Sequence, residues 1–306
     1  MCNCVSEQGD GRRLLTQKDL NEAYWLNRHV HTAYRPPHLS TQDYLKSVFE
    51  WNNETINIWT HLIGFIYFSY QQYEFNKHFL PLFNASLLDH FVVTVSVFCA
   101  QICMLFSTSY HVFGCSSIPS RQKWLRFDVF GVTAGLIGMY TLGIYAAFYC
   151  FEELRTKYFT MLFGLFVFSM YMPSRNDFLK SKLFGTRVGY LHLTYIAIAA
   201  FGLFPTAHWV SLYGGLENEY VTKYLLSIVT LYTLTASAFV FYATMIPERF
   251  KPGFFDILGS SHQWWHSLIF AAMYFWYSSS TELLSSHHNG VEKCQINANV
   301  YNQTYF

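Results

Sequence analysis

His262 and His266 stand four residues apart in Ser260-Ser261-His262-Gln263-Trp264-Trp265-His266. That spacing puts both imidazoles on one face of a helix, where two ring nitrogens can share a metal ion. A third imidazole, His111, closes the run Ser107-Thr108-Ser109-Tyr110-His111, and Asp128 stands in Phe127-Asp128-Val129-Phe130. Three imidazoles plus a carboxylate or a water make a four-coordinate Zn2+ site, and a water in the fourth position leaves it open to chemistry. A lone histidine at a helix end is ordinarily just an interfacial residue. The case for metal therefore depends on whether the chain brings these four side chains together.

The elements that must do so are legible from the charges. Of 306 residues only 13% are charged, 52% are apolar and 20% are aromatic, with a mean hydropathy of +0.16 and a net charge of +1. The near-neutral balance provides no global field to attract nucleic acid. Seven runs of at least seventeen residues contain no Asp, Glu, Lys or Arg: 55–73, 90–120, 129–151, 158–174, 188–216, 224–247 and 257–281. A helix needs about 20 apolar residues to cross a hydrocarbon core, and soluble helices keep a charged stripe. The chain is thus expected to be all-α, a bundle of seven transmembrane helices.

Lys and Arg then orient it. Fifteen fall on the side of the N-terminus and five on the other, which puts the N-terminus in the cytosol and the C-terminus in a lumen or outside the cell. With that orientation His111 ends the second helix, Asp128 lies within the first turns of the third and the His262–His266 pair is at the start of the seventh, all at the cytosolic leaflet. His61, His192 and His208 read as packing or interfacial residues, and Pro205 is expected to kink the fifth helix.

Residues 1–39 are polar and mixed in charge, and read as a mobile cytosolic arm. Residues 40–52 begin with Ser40-Thr41-Gln42-Asp43, resembling a capping box, and carry Tyr44, Leu45, Val48 and Phe49 at helical spacing. They read as a short amphipathic helix on the cytosolic membrane surface; a helix tucked against the bundle has the same pattern. Residues 54–283 form the membrane domain and 284–306 a lumenal tail, where Cys294 could pair with Cys150. Asn84 and Asn302 lie in glycosylation sequons on the lumenal side, while a third sequon at Asn53 is cytosolic and should stay bare.

Several motifs together resemble the progestin and adipoQ receptor family: Asn53-Glu54-Thr55-Ile56-Asn57-Ile58-Trp59-Thr60-His61, Ser107-x-x-x-His111, Asp128 and His262-x-x-x-His266. The resemblance covers residues from about 34 to 283. It implies a seven-helix fold with a cytosolic N-terminus, and zinc held by His111, His262 and His266, with Asp128 reaching the metal through water. Family members often have Tyr after that Asp, where this chain has Val129.

Phe204-Pro205-Thr206-Ala207-His208-Trp209, Pro247-Glu248-Arg249-Phe250 and Leu258-Gly259-Ser260-Ser261-His262-Gln263 are similar to the Raf-trapping branch of the family. That likeness implies a signalling regulator in the Golgi membrane, which recruits a Raf-type kinase through the N-terminal arm and dampens MAP kinase signalling. Two other readings stay open. A zinc-dependent, ceramidase-like amidase would use Asp128 as base and Ser107 as oxyanion donor on a ceramide-like lipid in the helix cavity. A ligand-binding receptor of the adipoQ type shares the same fold.

Overall fold

The computed structural model describes residues 13–171 and 187–289. Among them there is no β-strand, only an isolated antiparallel bridge between Leu15 and Tyr34. The helices are α1 (Thr41–Lys46), α2 (Thr55–Glu74), α3 (Leu87–Phe113), α4 (Ile118–Ala147), α5 (Glu152–Tyr171), α6 (Tyr190–Phe201), α7 (Leu203–Leu212), α8 (Glu219–Thr244) and α9 (Ser261–Asn289). With α6 and α7 counted as one interrupted rod, seven helices form the membrane bundle. Hydropathy alone marks α3, α4, the α6–α7 rod and α8 as candidate spans; α2, α5 and α9 complete the seven.

The break between α6 and α7 falls at Gly202, three residues before Pro205. Proline has no N–H to give the carbonyl four residues back and its ring crowds that carbonyl, here that of Phe201. The expected kink is therefore present. His192 and His208 are satisfied as expected, by Tyr242 at 2.9 Å and by Tyr158 at 2.9 Å.

The helices exceed the charge-free runs. Ser117 caps α4, accepting from the Ser120 amide, so α4 starts ten residues or so before the uncharged stretch and presents Lys123 and Arg126 to solvent. Asp128 consequently lies about three turns into α4. At the other end α9 continues through Glu282 to Asn289, so residues 284–289, expected in the tail, are helical. The rest of that tail, with Cys294 and Asn302, lies outside the described residues. Cys150 is disulfide-bonded, whereas Cys99, Cys103 and Cys115 are free.

Helix α9 packs against α8, α4, α2 and α3, and α3 pairs closely with both α2 and α4. Glycines let α3 and α4 approach. A Cβ on Gly138 would lie 2.4 Å from the Ser96 carbonyl oxygen, and one on Gly131 would lie 3.1 Å from the Cys103 Cα. These pairings fix an antiparallel register that, continued toward the end of the bundle that holds His111, sets Asp128 of α4 opposite Ser107 of α3.

The segment before α1 corrects the expectation of a mobile arm across residues 13–39. Val30, Tyr34 and Arg35 are buried. Asn27 Nδ2 donates to Glu248 Oε1 at 3.0 Å, and the Thr32 amide and hydroxyl donate to Asp256 at 2.8 and 2.7 Å. Polar composition suggested solvent; the polar groups are instead spent on buried carboxylates of the α8–α9 connection. Following it, Ser40 caps α1 by accepting from the Asp43 amide at 3.1 Å. Tyr44 and Val48 pack on Ile58 and Val112, while Leu45, Phe49 and Trp51 stay exposed. The short helix both tucks against the bundle and keeps an apolar edge outward, and it is shorter than 40–52, ending in a tight turn at Phe49.

Candidate metal centre

His111 lies in the last turn of α3, and His262 and His266 in the first two turns of α9. Each offers one ring nitrogen, and the three nitrogens lie within 4.8 Å of one another. His111 and His266 are buried and His262 is half-buried. The separation of His111 Nε2 from His262 Nε2 is 3.4 Å. Two imidazole nitrogens bound at about 2.0–2.1 Å to one tetrahedral ion stand about 3.3 Å apart. The donor set and its spacing therefore fit Zn2+.

What surrounds the ligands orients them. The start of α9 is held by Glu248, a fully buried carboxylate that accepts from the Ser261 amide at 2.7 Å and from the Ser261 hydroxyl. A negative charge at a helix N-terminus is favourable. Gln263 fastens the preceding loop, accepting from the Gly259 amide at 2.6 Å and donating to the Ile257 carbonyl at 2.8 Å. The end of α3 is held by Arg35, which donates to the Ser47 hydroxyl at 2.9 Å and to the carbonyl of His111 itself. A cation at a helix C-terminus is favourable for the converse reason.

Within the site, Glu54 Oε2 lies 2.8 Å from His111 Nδ1, and Asn57 donates to the same oxygen at 2.6 Å. Burial works to raise the Glu54 carboxyl, but the neighbouring His111 imidazole, the hydrogen bonds from His111 and Asn57, and the Arg35 guanidinium hold it below the usual range. An ionised Glu54 accepts a hydrogen bond from the Nδ1–H of His111 and leaves the Nε2 lone pair free for a metal. His61 stacks on His266 with ring centroids 3.8 Å apart and planes 20° apart. Neither His61 nitrogen makes a hydrogen bond of ordinary geometry among the described residues.

Of the residues singled out in the sequence, the three histidines converge as expected. Asp128 is not in the set of mutually close ligand atoms. It lies beside Ser107 and within electrostatic reach of His111. Ser107 is buried one turn before His111. It stands next to Asp128 across the α3–α4 seam. Glu54, His61 and Glu248 were visible only as parts of motifs, and Arg35 carried no signal beyond its charge. His61, read as a packing residue, is packed on a metal-site ring.

A model of the family described as haemolysin-III related matches residues 49–277. Progestin and adipoQ receptor family member 3 of mouse and of human are each 31% identical over 281 residues, which cover 91% of this chain and 88% of the relative. The adiponectin receptor protein of Drosophila melanogaster is 28% identical over 85% of this chain and 57% of its own length. Heptahelical transmembrane protein 1 of Arabidopsis thaliana is 28% identical over 84% of this chain and 77% of its own.

Proposed function

The chain belongs to the haemolysin-III-related family, among the progestin and adipoQ receptor proteins, and from that footing we propose that it is a zinc-dependent hydrolase of an amide-linked acyl lipid. The observation that supports this reading is the incomplete ligand set. Three imidazoles converge, and the nearby carboxylate, Asp128, stays outside them, beside Ser107. Structural zinc sites are closed by four protein ligands, while catalytic ones keep a position for water.

His111, His262 and His266 hold the ion. Bound Zn2+ supplies a Lewis acid for a carbonyl and a water of lowered pKa. Asp128 accepts the proton of the attacking water at its carboxylate, and Ser107 keeps that carboxylate aimed. Placement at the cytosolic end of the bundle suits a substrate whose acyl chain lies in the membrane and whose amide sits near the headgroups, as in ceramide. The test is to purify the protein in detergent without chelators, then measure bound metal and fatty-acid release from ceramide. One zinc per chain with no release would leave a structural metal and remove the hydrolase reading.

A second reading is regulation of signalling from the Golgi membrane by holding a Raf-type kinase. The folded state of residues 13–39 bears on it, since the kinase would then dock on the outer face of a packed cytosolic cap rather than on a free arm. Substitutions on that face, such as Glu22→Lys or Arg28→Glu, should release the kinase from Golgi membranes while leaving bound zinc unchanged. Ligand-activated signalling of the receptor type is compatible with the same fold and would couple through the same cytosolic surface.

A further inference from the structure

The motif Asn53–His61 at the start of α2 contributes none of the three converging nitrogens, yet its side chains are aimed at two of the histidines that do. Glu54 is the N-cap residue of α2, but its carboxylate does not cap that helix. Asn52 and Thr55 arrange the turn instead, Asn52 Oδ1 accepting from the Glu54 amide at 3.0 Å and Thr55 Oγ1 from the Asn52 amide at 2.8 Å. The Glu54 carboxylate is thereby released from its ordinary local task and turned toward His111 Nδ1 at 2.8 Å, 57 positions away in the chain. Asn57, one turn on, fixes it there at 2.6 Å. Burying a carboxylate is costly unless its partners repay the loss of water, so its place beside a ligand ring calls for a purpose.

Two turns into α2 the same face meets His266. Thr60 Oγ1 donates to the Ile56 carbonyl at 2.7 Å, leaving a lone pair 3.5 Å from His266 Nδ1, at the outer limit of a hydrogen bond. His61 covers the His266 ring by stacking. The stack also shows that these two rings do not share one ion. Imidazole lone pairs lie in the ring plane, and in rings 3.8 Å apart and 20° from parallel they run side by side rather than converge.

Resting on the zinc reading above, we propose that the first two turns of α2 form a positioning platform for the metal centre, with Glu54 fixing the tautomer and direction of His111 and Thr60 with His61 fixing those of His266. The carboxylate makes His111 a stronger donor, and removal of such outer partners typically weakens metal binding about 10–100-fold.

The experiment measures zinc affinity by chelator competition, and the visible absorption of the Co2+-substituted protein, for the full chain in detergent. Glu54→Gln keeps the size of the side chain and the docking of α2 but loses the charge. It is expected to bind one zinc about 10–100-fold more weakly and to shift the Co2+ bands, with metal-free melting close to that of the unaltered chain. His61→Phe keeps the stack and should retain metal stoichiometry and bands. If Glu54→Gln does not fold, Asn57→Ala, which frees the carboxylate from its donor, should weaken zinc in the same direction to a smaller degree. Unchanged affinity and bands in Glu54→Gln, or in Asn57→Ala where only that variant folds, overturn the platform, as does loss of the metal in His61→Phe. A mere fastener between α2 and α3 would lower metal-free melting and leave affinity alone. Absence of zinc from the unaltered protein would instead overturn the metal reading on which the platform rests.

Discussion

Asn27 donates to Glu248 across 221 positions of sequence, and Glu248 in turn accepts from the amide and hydroxyl of Ser261, the first residue of α9. The segment before α1 is thereby tied to the helix that carries His262 and His266. Arg35 ties the same segment to the other side of the site through the carbonyl of His111. The segment before α1 and the histidine cluster form one packed unit, with buried charges on both sides of the seam.

Deleting residues 1–35 should therefore destabilise the bundle, where removal of a loose arm would not. The deletion takes away Asn27, Thr32 and Arg35, leaving Asp256 and the His111 carbonyl short of donors. Hydrogen bonds to charged groups are worth about 1.5–3 kcal/mol each, so the expected loss is several kcal/mol. Thermal melting in detergent measures it; an unchanged midpoint would show that the cap is not coupled to the bundle. The single change Asn27→Ala should cost about 1–3 kcal/mol in the same assay.

The close pairing of α3 with α4 gives a second test. Gly138→Ala puts a methyl 2.4 Å from the Ser96 carbonyl oxygen, 2.5 Å from the Tyr277 hydroxyl and 2.8 Å from the Cys99 Cβ. Two of those neighbours are parts of helices that cannot retreat alone. Overpacking of this kind costs about 1–3 kcal/mol. Since the α3–α4 register also sets Asp128 against Ser107, the variant should lose any Asp128-dependent turnover more than it loses zinc. Equal stability of Gly138→Ala and the unaltered chain would mean that the helices are free to separate there.

The seven helices were legible because a membrane span forbids charge over a length set by the bilayer, and the charges of this chain fall in the gaps. The three ligands were legible from histidine spacing and from orientation together. What the charges did not mark was where each helix ends, since Arg121, Lys123 and Arg126 ride on an extension of α4 before its uncharged run. Composition misread residues 13–39 because a polar segment that satisfies buried carboxylates has the same residues as one that faces water. Glu54 escaped a role for a related reason. Its partner is 57 positions away, and no local pattern distinguishes a capping glutamate from one turned toward a histidine.

Topology is testable independently of the site. A tag at residue 1 should be cytosolic and one at residue 306 lumenal or extracellular, which protease protection of sealed vesicles reads directly. The Lys and Arg asymmetry of fifteen to five requires it. The disulfide at Cys150, just past the end of α4, falls on the side that the charges assign to a lumen or the exterior. Disulfides persist in oxidising compartments and thiols in the cytosol. A protected tag at residue 1 would put the metal centre in the wrong leaflet for the proposed substrate geometry.

Asp128→Asn and His262→Ala separate chemistry from architecture. His262→Ala removes one of three ligand rings, so bound zinc should fall to near zero. Metal that binds only the folded state stabilises it, so melting should fall too, by about 2–4 °C for each kcal/mol lost in a domain of this size. Asp128→Asn keeps the size of the side chain and an oxygen to accept from Ser107, but has no carboxylate to take a proton. Because Asp128 stands outside the three converging nitrogens, this variant should retain zinc and melt close to the unaltered chain. Ceramide turnover should drop at least about 100-fold, as loss of a general base commonly does. Turnover that survives Asp128→Asn would remove Asp128 as the base, and zinc lost with Asp128→Asn would make it a direct ligand of a closed, structural site.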